Sequence, residues 1–168
     1  LRGLLGDGAP LSKSSLDRLR GKWKLEYDEW QQRSLSDLGI TYLWADGVYV
    51  KAGLEKDKAA LLVVIGAGSD GRKHLLALEA GYRESMDSWL SVFRDLSTRG
   101  VTKPRIIVMD GVPGAWTAAS QVWPETAGQR CWNHKMVNVL DRLPKNRQPE
   151  AKVILQEIYG ASSIKDAD

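Results

Sequence analysis

Across residues 11–33 the apolar positions recur at spacings of three and four, as Leu16, Leu19, Trp23, Tyr27 and Trp30. That period predicts an amphipathic helix, with Ser12, Ser14 or Ser15 as its cap and Gly21 as a weak point or corner. The pattern then changes. Thr41 to Ala52, Ala59 to Ile65 and Lys73 to Ala80 are short runs rich in aromatic and aliphatic residues, separated by turn-sized gaps, and they predict three antiparallel strands. The helical period returns in Met86, Trp89, Leu90, Phe93 and Leu96, with Ser85 placed to cap the start and Gly100 just past the end.

Arg105 to Met109 is apolar after its first residue and closes on Asp110-Gly111, as a buried parallel strand does. Pro113 suits the first turn of a helix carrying Trp116, Ala119, Val122 and Trp123, which Pro124 stops. A brief strand is expected around Arg130 to Trp132. Two helices are expected after it, one with Met136, Val139, Leu140 and Leu143 on one face, and one starting near Pro149 with Ile154, Leu155 and Ile158 inward. Three antiparallel strands followed by alternating helix and strand is the order of an α/β fold of the ribonuclease H-like type: a mixed sheet with flanking helices, here preceded by a helical segment.

Composition narrows the function classes only slightly. The chain has 168 residues, with 24 Lys and Arg against 21 Asp and Glu, a formal net charge of +3 that permits a nucleic-acid partner without requiring one. Its single cysteine, Cys131, forms no intrachain bridge, so a cytoplasmic setting is the default. The longest apolar run, Ala59 to Ile65, falls far short of the ~20 residues of a membrane helix, and residues 1–15 lack the apolar centre of a signal peptide. The start on Leu and the lack of a closing element suggest a fragment of a longer protein.

Asp46 interrupts an apolar strand and shares a face with Tyr42, Trp44, Val48 and Val50. Burial there requires either hydrogen bonds, making it a structural acid, or a bound cation. Asp110 ends a buried strand just before a helix, where open α/β sheets place their ligands. Two acids on adjacent strands can share a hard divalent ion of the kind used in phosphoryl transfer. Glu125, Glu150 and Glu157 are available as a third acid, but none has a distinctive neighbourhood, and Glu150 and Glu157 read as solvent-facing charge. Gly66-Ala-Gly-Ser-Asp-Gly71 matches a dinucleotide-binding pattern, yet Asp70-Gly71 followed by alternating Leu76, Leu78 and Ala80 reads as a hairpin. Cys131-Trp-Asn-His134 has the spacing of half a zinc site. Only His74 remains as a further Cys or His, so a thiol beside a histidine that orients the next helix is the better account. Lys13, Arg18, Arg20, Lys22 and Lys24 suit the end of a helix-turn-helix or a solvated helix. Arg130, Lys135, Arg142, Lys145 and Arg147 suit a phosphate-binding side or an ordinary polar face.

Tyr42-Leu-Trp-Ala-Asp-Gly-Val-Tyr-Val-Lys51, Val108-Met-Asp-Gly-Val-Pro-Gly114 and Gln129-Arg-Cys-Trp-Asn-His-Lys135, in this order, resemble the mutator-type transposases of bacterial insertion sequences. Trp30-Gln-Gln-Arg-Ser-Leu35, Gly71-Arg-Lys and Trp89 extend the similarity over roughly residues 12 to 150. The resemblance implies a metal-dependent Asp-Asp-Glu core that cuts and joins DNA, with Asp46 and Asp110 as catalytic acids holding Mg²⁺ or Mn²⁺ and with Cys131 and His134 as the family's Cys-x-x-His signature. It implies a helical DNA-binding region ending within 1–35, a catalytic core over 36–148, and a helical insertion starting at 149–168. The family's glutamate follows that insertion, so the chain alone is expected to be inactive. The partners implied are the terminal repeats of the element, target DNA and further copies of the protein, without a membrane, in a bacterial cytoplasm at the nucleoid. Lys51, Arg130 and Lys135 are the expected phosphate contacts. The rival expectation is a catalytically inactive remnant that binds DNA or oligomerises.

Overall fold

The computed structural model of the protein describes residues 12–51, 58–81, 85–163 and 165. The chain divides into two compact units, Leu1–Ser34 and Leu35–Asp168. In the first, helix α1 (Lys13–Gln32) starts where the Ser12 side chain accepts a hydrogen bond from the Ser15 backbone N–H. It runs unbroken through Gly21, which is therefore not a corner. None of its residues is buried within the chain.

The second unit is built on a five-stranded sheet of order β3-β2-β1-β4-β5. The strands are β1 (Ile40–Lys51), β2 (Lys58–Gly68), β3 (Lys73–Gly81), β4 (Ile106–Met109) and β5 (Ala127–Arg130). β1, β2 and β3 form an antiparallel meander, whereas β4 pairs parallel to both β1 and β5. This order and these directions make the fold ribonuclease H-like. The Gly66 to Gly71 motif is the β2–β3 hairpin: Gly71 has φ +75° and the Asp70 carboxylate accepts from the Arg72 N–H at 3.0 Å.

Two helices, α2 (Met86–Thr98) and α3 (Pro113–Val122), cover one sheet face. Ser85 caps α2 by accepting from the Ser88 N–H, as the sequence predicts. Leu43, Ala45, Leu62, Val64, Leu76, Ile107 and Met109 point into the core, where they meet Trp89, Val92, Phe93 and Leu96 of α2 and Ala115, Ala118 and Ala119 of α3. The small α3 residues let that helix approach α2 closely. Phe93 stacks on Trp89 at 5.4 Å and tilts against Trp123 at 5.4 Å, and the Trp123 indole N–H donates to Val101 O at 2.8 Å. The buried Arg99 guanidinium donates to Leu76 O at 3.2 Å and to the Asp95 carboxylate at 3.0 Å, tying the end of α2 to β3.

Two expectations need correction. The last strand is Ala127–Arg130 rather than Arg130 to Trp132, because its ladder with β4 ends at Met109 and Arg130 and helix α4 (Trp132–Leu140) starts directly afterwards. In the final helix, α5 (Gln148–Gly160), Ile154 and Ile158 are exposed instead of inward. Their spacing made an apolar stripe legible, but among the described residues nothing covers it. None of the helices described is long and apolar enough to cross a membrane.

Gly100 ends α2 at φ +115°, and a Cβ there would stand 2.7 Å from the Ser36 backbone nitrogen. Gly100→Ala therefore meets an unfavourable backbone conformation and a collision with main chain. It is expected to lower unfolding free energy by about 1–3 kcal/mol in a urea titration; an unchanged midpoint would contradict this packing.

Candidate functional site

The parallel ladder places Tyr42, Leu43, Trp44 and Ala45 of β1 beside Ile106, Ile107, Val108 and Met109 of β4. Successive strand residues alternate between faces. Leu43, Ala45, Ile107 and Met109 face the core, so Trp44 and Val108 face away from it. The last pair of that register, Ala45 with Met109, directly precedes the two acids: Asp110 is the first residue past β4, and Asp46 lies within β1, five residues before its end. The Cys131 N–H continues the outer ladder by donating to Met109 O at 2.7 Å, which brings Cys131 next to Asp110 on the other side.

Asp46 is not a buried structural acid, because its side chain is 49% exposed. The apolar strand around it is buried on the helix-covered face alone, and Asp46 has the opposite parity. Asp110 is half-buried, and its Oδ1 accepts from the Gly111 N–H at 2.6 Å. Among the described residues no lysine or arginine forms an ion pair with either acid. The donor set is thus two carboxylates open to a ligand, oxygen donors of the kind hard divalent cations prefer. No third Cys, His, Asp or Glu completes a metal-holding group among the described residues. Glu150 pairs with Arg147, and Glu125 and Glu157 are exposed.

Cys131 is the N-cap residue of α4 without a side-chain capping bond, and His134 lies in the helix's first turn. His134 Nε2 stands 3.8 Å from Asp46 Oδ1, too far for a hydrogen bond, while Nδ1 is enclosed without a partner. A cavity of about 320 Å³ opens beside them, lined by Trp44, Asp46, Lys73, Val108, Cys131 and His134 among others. A neighbouring cleft of about 540 Å³ lies under α4 and α5, where Trp132 stacks on Tyr159 at 5.8 Å.

Of the expected cation positions, Arg130 comes nearest to the acids: its guanidinium lies over Gly111, so that a Cβ at that glycine would collide with it. Lys135 is exposed on α4 directly after His134. Lys51 closes β1 five residues beyond Asp46, roughly 17 Å along an extended strand, and its side chain lies outside the described residues. Sequence reasoning quoted Lys73 within Gly71-Arg-Lys and gave it no role at the site; its Nζ sits 5.6 Å from the centre of the Trp44 ring. Its signal was available in the hairpin, since Lys73 pairs with Ala67 and Ala67 with Tyr42 on the face that carries Asp46.

Residues 4–168 match the family model described as Transposase, Mutator family. The chain is 44% identical over 167 residues to the transposase for insertion sequence element IS6120 of Mycolicibacterium smegmatis, an alignment covering 99% of this chain and 52% of that protein. It is 41% identical over 167 residues to the transposase for insertion sequence element IST2 of Acidithiobacillus ferrooxidans, covering 98% and 56% respectively. The chain spans about half the length of these relatives. The solved HTLV-2 integrase catalytic core domain in complex with magnesium is similar at 18% identity and a TM-score of 0.42, over 74% of this chain and 89% of that one.

An enclosed Nδ1 without a partner is a stability cost at His134. His134→Leu keeps the bulk and removes the orphaned atom. The variant is expected to be as stable as the parent or about 1 kcal/mol more stable in thermal unfolding. A clear loss of stability would mean that Nδ1 has a partner.

Proposed function

The chain belongs to the Mutator family of transposases, and from that premise we propose that it supplies the two aspartates of a divalent-metal site for cutting and joining DNA at insertion-sequence ends. The observation that supports this reading is the β1–β4 register, whose last pair, Ala45 with Met109, directly precedes Asp46 and Asp110, with Asp46 half-exposed. Asp46 and Asp110 would hold Mg²⁺ or Mn²⁺ through their carboxylate oxygens. Such an ion would supply Lewis acidity for phosphoryl transfer.

The chain's own residues supply the setting. The Gly111 N–H holds one oxygen of Asp110 and so orients the carboxylate. Arg130, over Gly111, brings a positive charge to the same strand end and is a phosphate contact. Lys135 and Lys51 extend the contacts outward. Cys131 and His134, at the start of α4, line the same cavity as Asp46. On this reading residues 1–35 are the end of a helical DNA-binding region, 36–148 the ribonuclease H-like core and 149–168 the beginning of a helical insertion. Two carboxylates are this chain's share of the site. DNA ends, target DNA and further copies of the protein are the partners, in the bacterial cytoplasm at the nucleoid.

The test is Mn²⁺ binding. Titration calorimetry and thermal unfolding of the parent chain are expected to show saturable binding and a rise in apparent stability, about 2.7 kcal/mol at a hundredfold excess over Kd. Asp46→Asn and Asp110→Asn should each abolish both signals. Equal binding in the parent and both variants would sink the assignment.

A further inference from the structure

Lys73 has no carboxylate partner within ion-pairing distance among the described residues, although it is held in a defined place. Its ammonium rests over Trp44, and Trp44 is itself stacked against Tyr42, with ring centres 6.4 Å apart and planes at 27°. A cation on an aromatic face gains only about 0.5–1 kcal/mol at an exposed site. That is enough to bias where the side chain lies, yet it leaves the positive charge unneutralised. Lys73 also lines the cavity that Asp46 and His134 line. The open sheet face thus carries, within one cavity, an acid of the proposed metal site and a poised cation.

An anionic polymer that brings one phosphate to two carboxylates needs positive charge near its neighbouring phosphates, because the carboxylates repel it. Arg130 offers that charge on the β4–β5 side, over Gly111. On the β2–β3 side of the acids, the cation lining the cavity is Lys73. The floor there is apolar, formed by Trp44, Val63, Ile65 and Val108. Such a floor accepts deoxyribose or a base face, while the ammonium takes the phosphate.

We propose that Lys73, seated over Trp44, is a positioning residue that contacts a DNA phosphate next to the one reaching Asp46 and Asp110, so that the strand crosses the sheet face from β4 towards β3. This rests on the reading of the chain as a DNA-processing transposase. It adds a residue and a direction that the acidic pair does not give.

The experiment measures binding of a short fluorescein-labelled DNA duplex to the 168-residue chain in Mg²⁺ across a salt titration. Lys73→Met is expected to weaken binding roughly three- to tenfold at low salt and to flatten the logarithmic salt slope by about one, the signature of one lost phosphate contact. Lys73→Gln should behave alike, should Lys73→Met fold poorly. Lys73→Arg should restore affinity and slope. Lys103→Met, an equal loss of charge in the segment before β4 and outside the lining of the Asp46 cavity, should change the slope less. A merely structural lysine would shift thermal stability and leave the salt slope alone.

Lys73→Met and Lys73→Gln matching Lys103→Met in affinity and slope overturns the proposal, as does a parent chain that binds no duplex. Mn²⁺ binding measured on the same variants separates the two readings. If Lys73→Met binds Mn²⁺ like the parent while its DNA slope is unchanged, the role of Lys73 falls and the metal site stands; if the parent binds no Mn²⁺ but Lys73→Met still flattens the slope, the reverse holds.

Discussion

The parallel pairing of β1 with β4 is the constraint on which the rest of the structure depends. Hairpins alone leave β1 at the edge of a three-stranded meander with one side of its backbone unpaired. The crossover through α2 carries the chain past β2 and β1 and lays β4 along that free side. β4 has four residues, yet it makes β1 a central strand and gives β5 its place. The same register decides parity. With Leu43, Ala45, Ile107 and Met109 committed to the core, Trp44, Asp46, Val108 and Asp110 have no choice of face. A slip of β4 by one residue against β1 would turn Ile107 and Met109 out of the core and the acid that follows them towards the helix-covered layer, where an unpaired charge costs several kcal/mol.

From that commitment follows the asymmetry of the sheet. One face is closed by α2 and α3, locked by the Trp89, Phe93 and Trp123 rings and by Arg99. The other remains accessible: Tyr42, Val48 and Leu75 are exposed on the strands, and Val137, Val153, Ile154 and Tyr159 on α4 and α5. Apolar surface scattered singly is ordinary, but grouped beside a polar site it marks where a molecule binds. The residues of the proposed site belong to this second face or its rim, so on that reading stability and function are divided between the two sides of one sheet.

Much of the fold was legible because local rules and tertiary structure agree. Ser12 and Ser85 act as caps, Asp70-Gly71 turns a hairpin, and Pro113 opens a helix, each through chemistry confined to a few neighbouring residues. The two aspartates stood out for the same reason, Asp110 as a strand-end acid and Asp46 as a carboxylate inside an apolar run. Their neighbourliness was an inference from fold order, since nothing local says which strand lies beside β1. The exposure of Asp46 was missed because an apolar run looks buried on both faces, whereas this one is covered on one. Ile154 and Ile158 failed in the same way: a stripe records that a face is apolar and says nothing about whether the chain supplies its cover. Lys73 was quoted within Gly71-Arg-Lys without a role, because its relation to Trp44 crosses strand boundaries and depends on the β1–β2 and β2–β3 registers.

The electrostatic arrangement closes the argument about why this face is built as it is. Carboxylates brought to one site repel each other, and far less strongly in water than in a protein interior. Half-exposure of Asp46 keeps such a cost low, and the hydrogen bond from the Gly111 N–H stabilises charge at Asp110. Cations placed close enough to pair directly would remove the repulsion altogether, and with it the affinity for any incoming cation. Lys73 is instead retained by an aromatic ring, and Arg130 lies over a glycine backbone. Their charge is therefore near the acids without being consumed by them, which leaves the carboxylates free for a cation and the cations free for an anion.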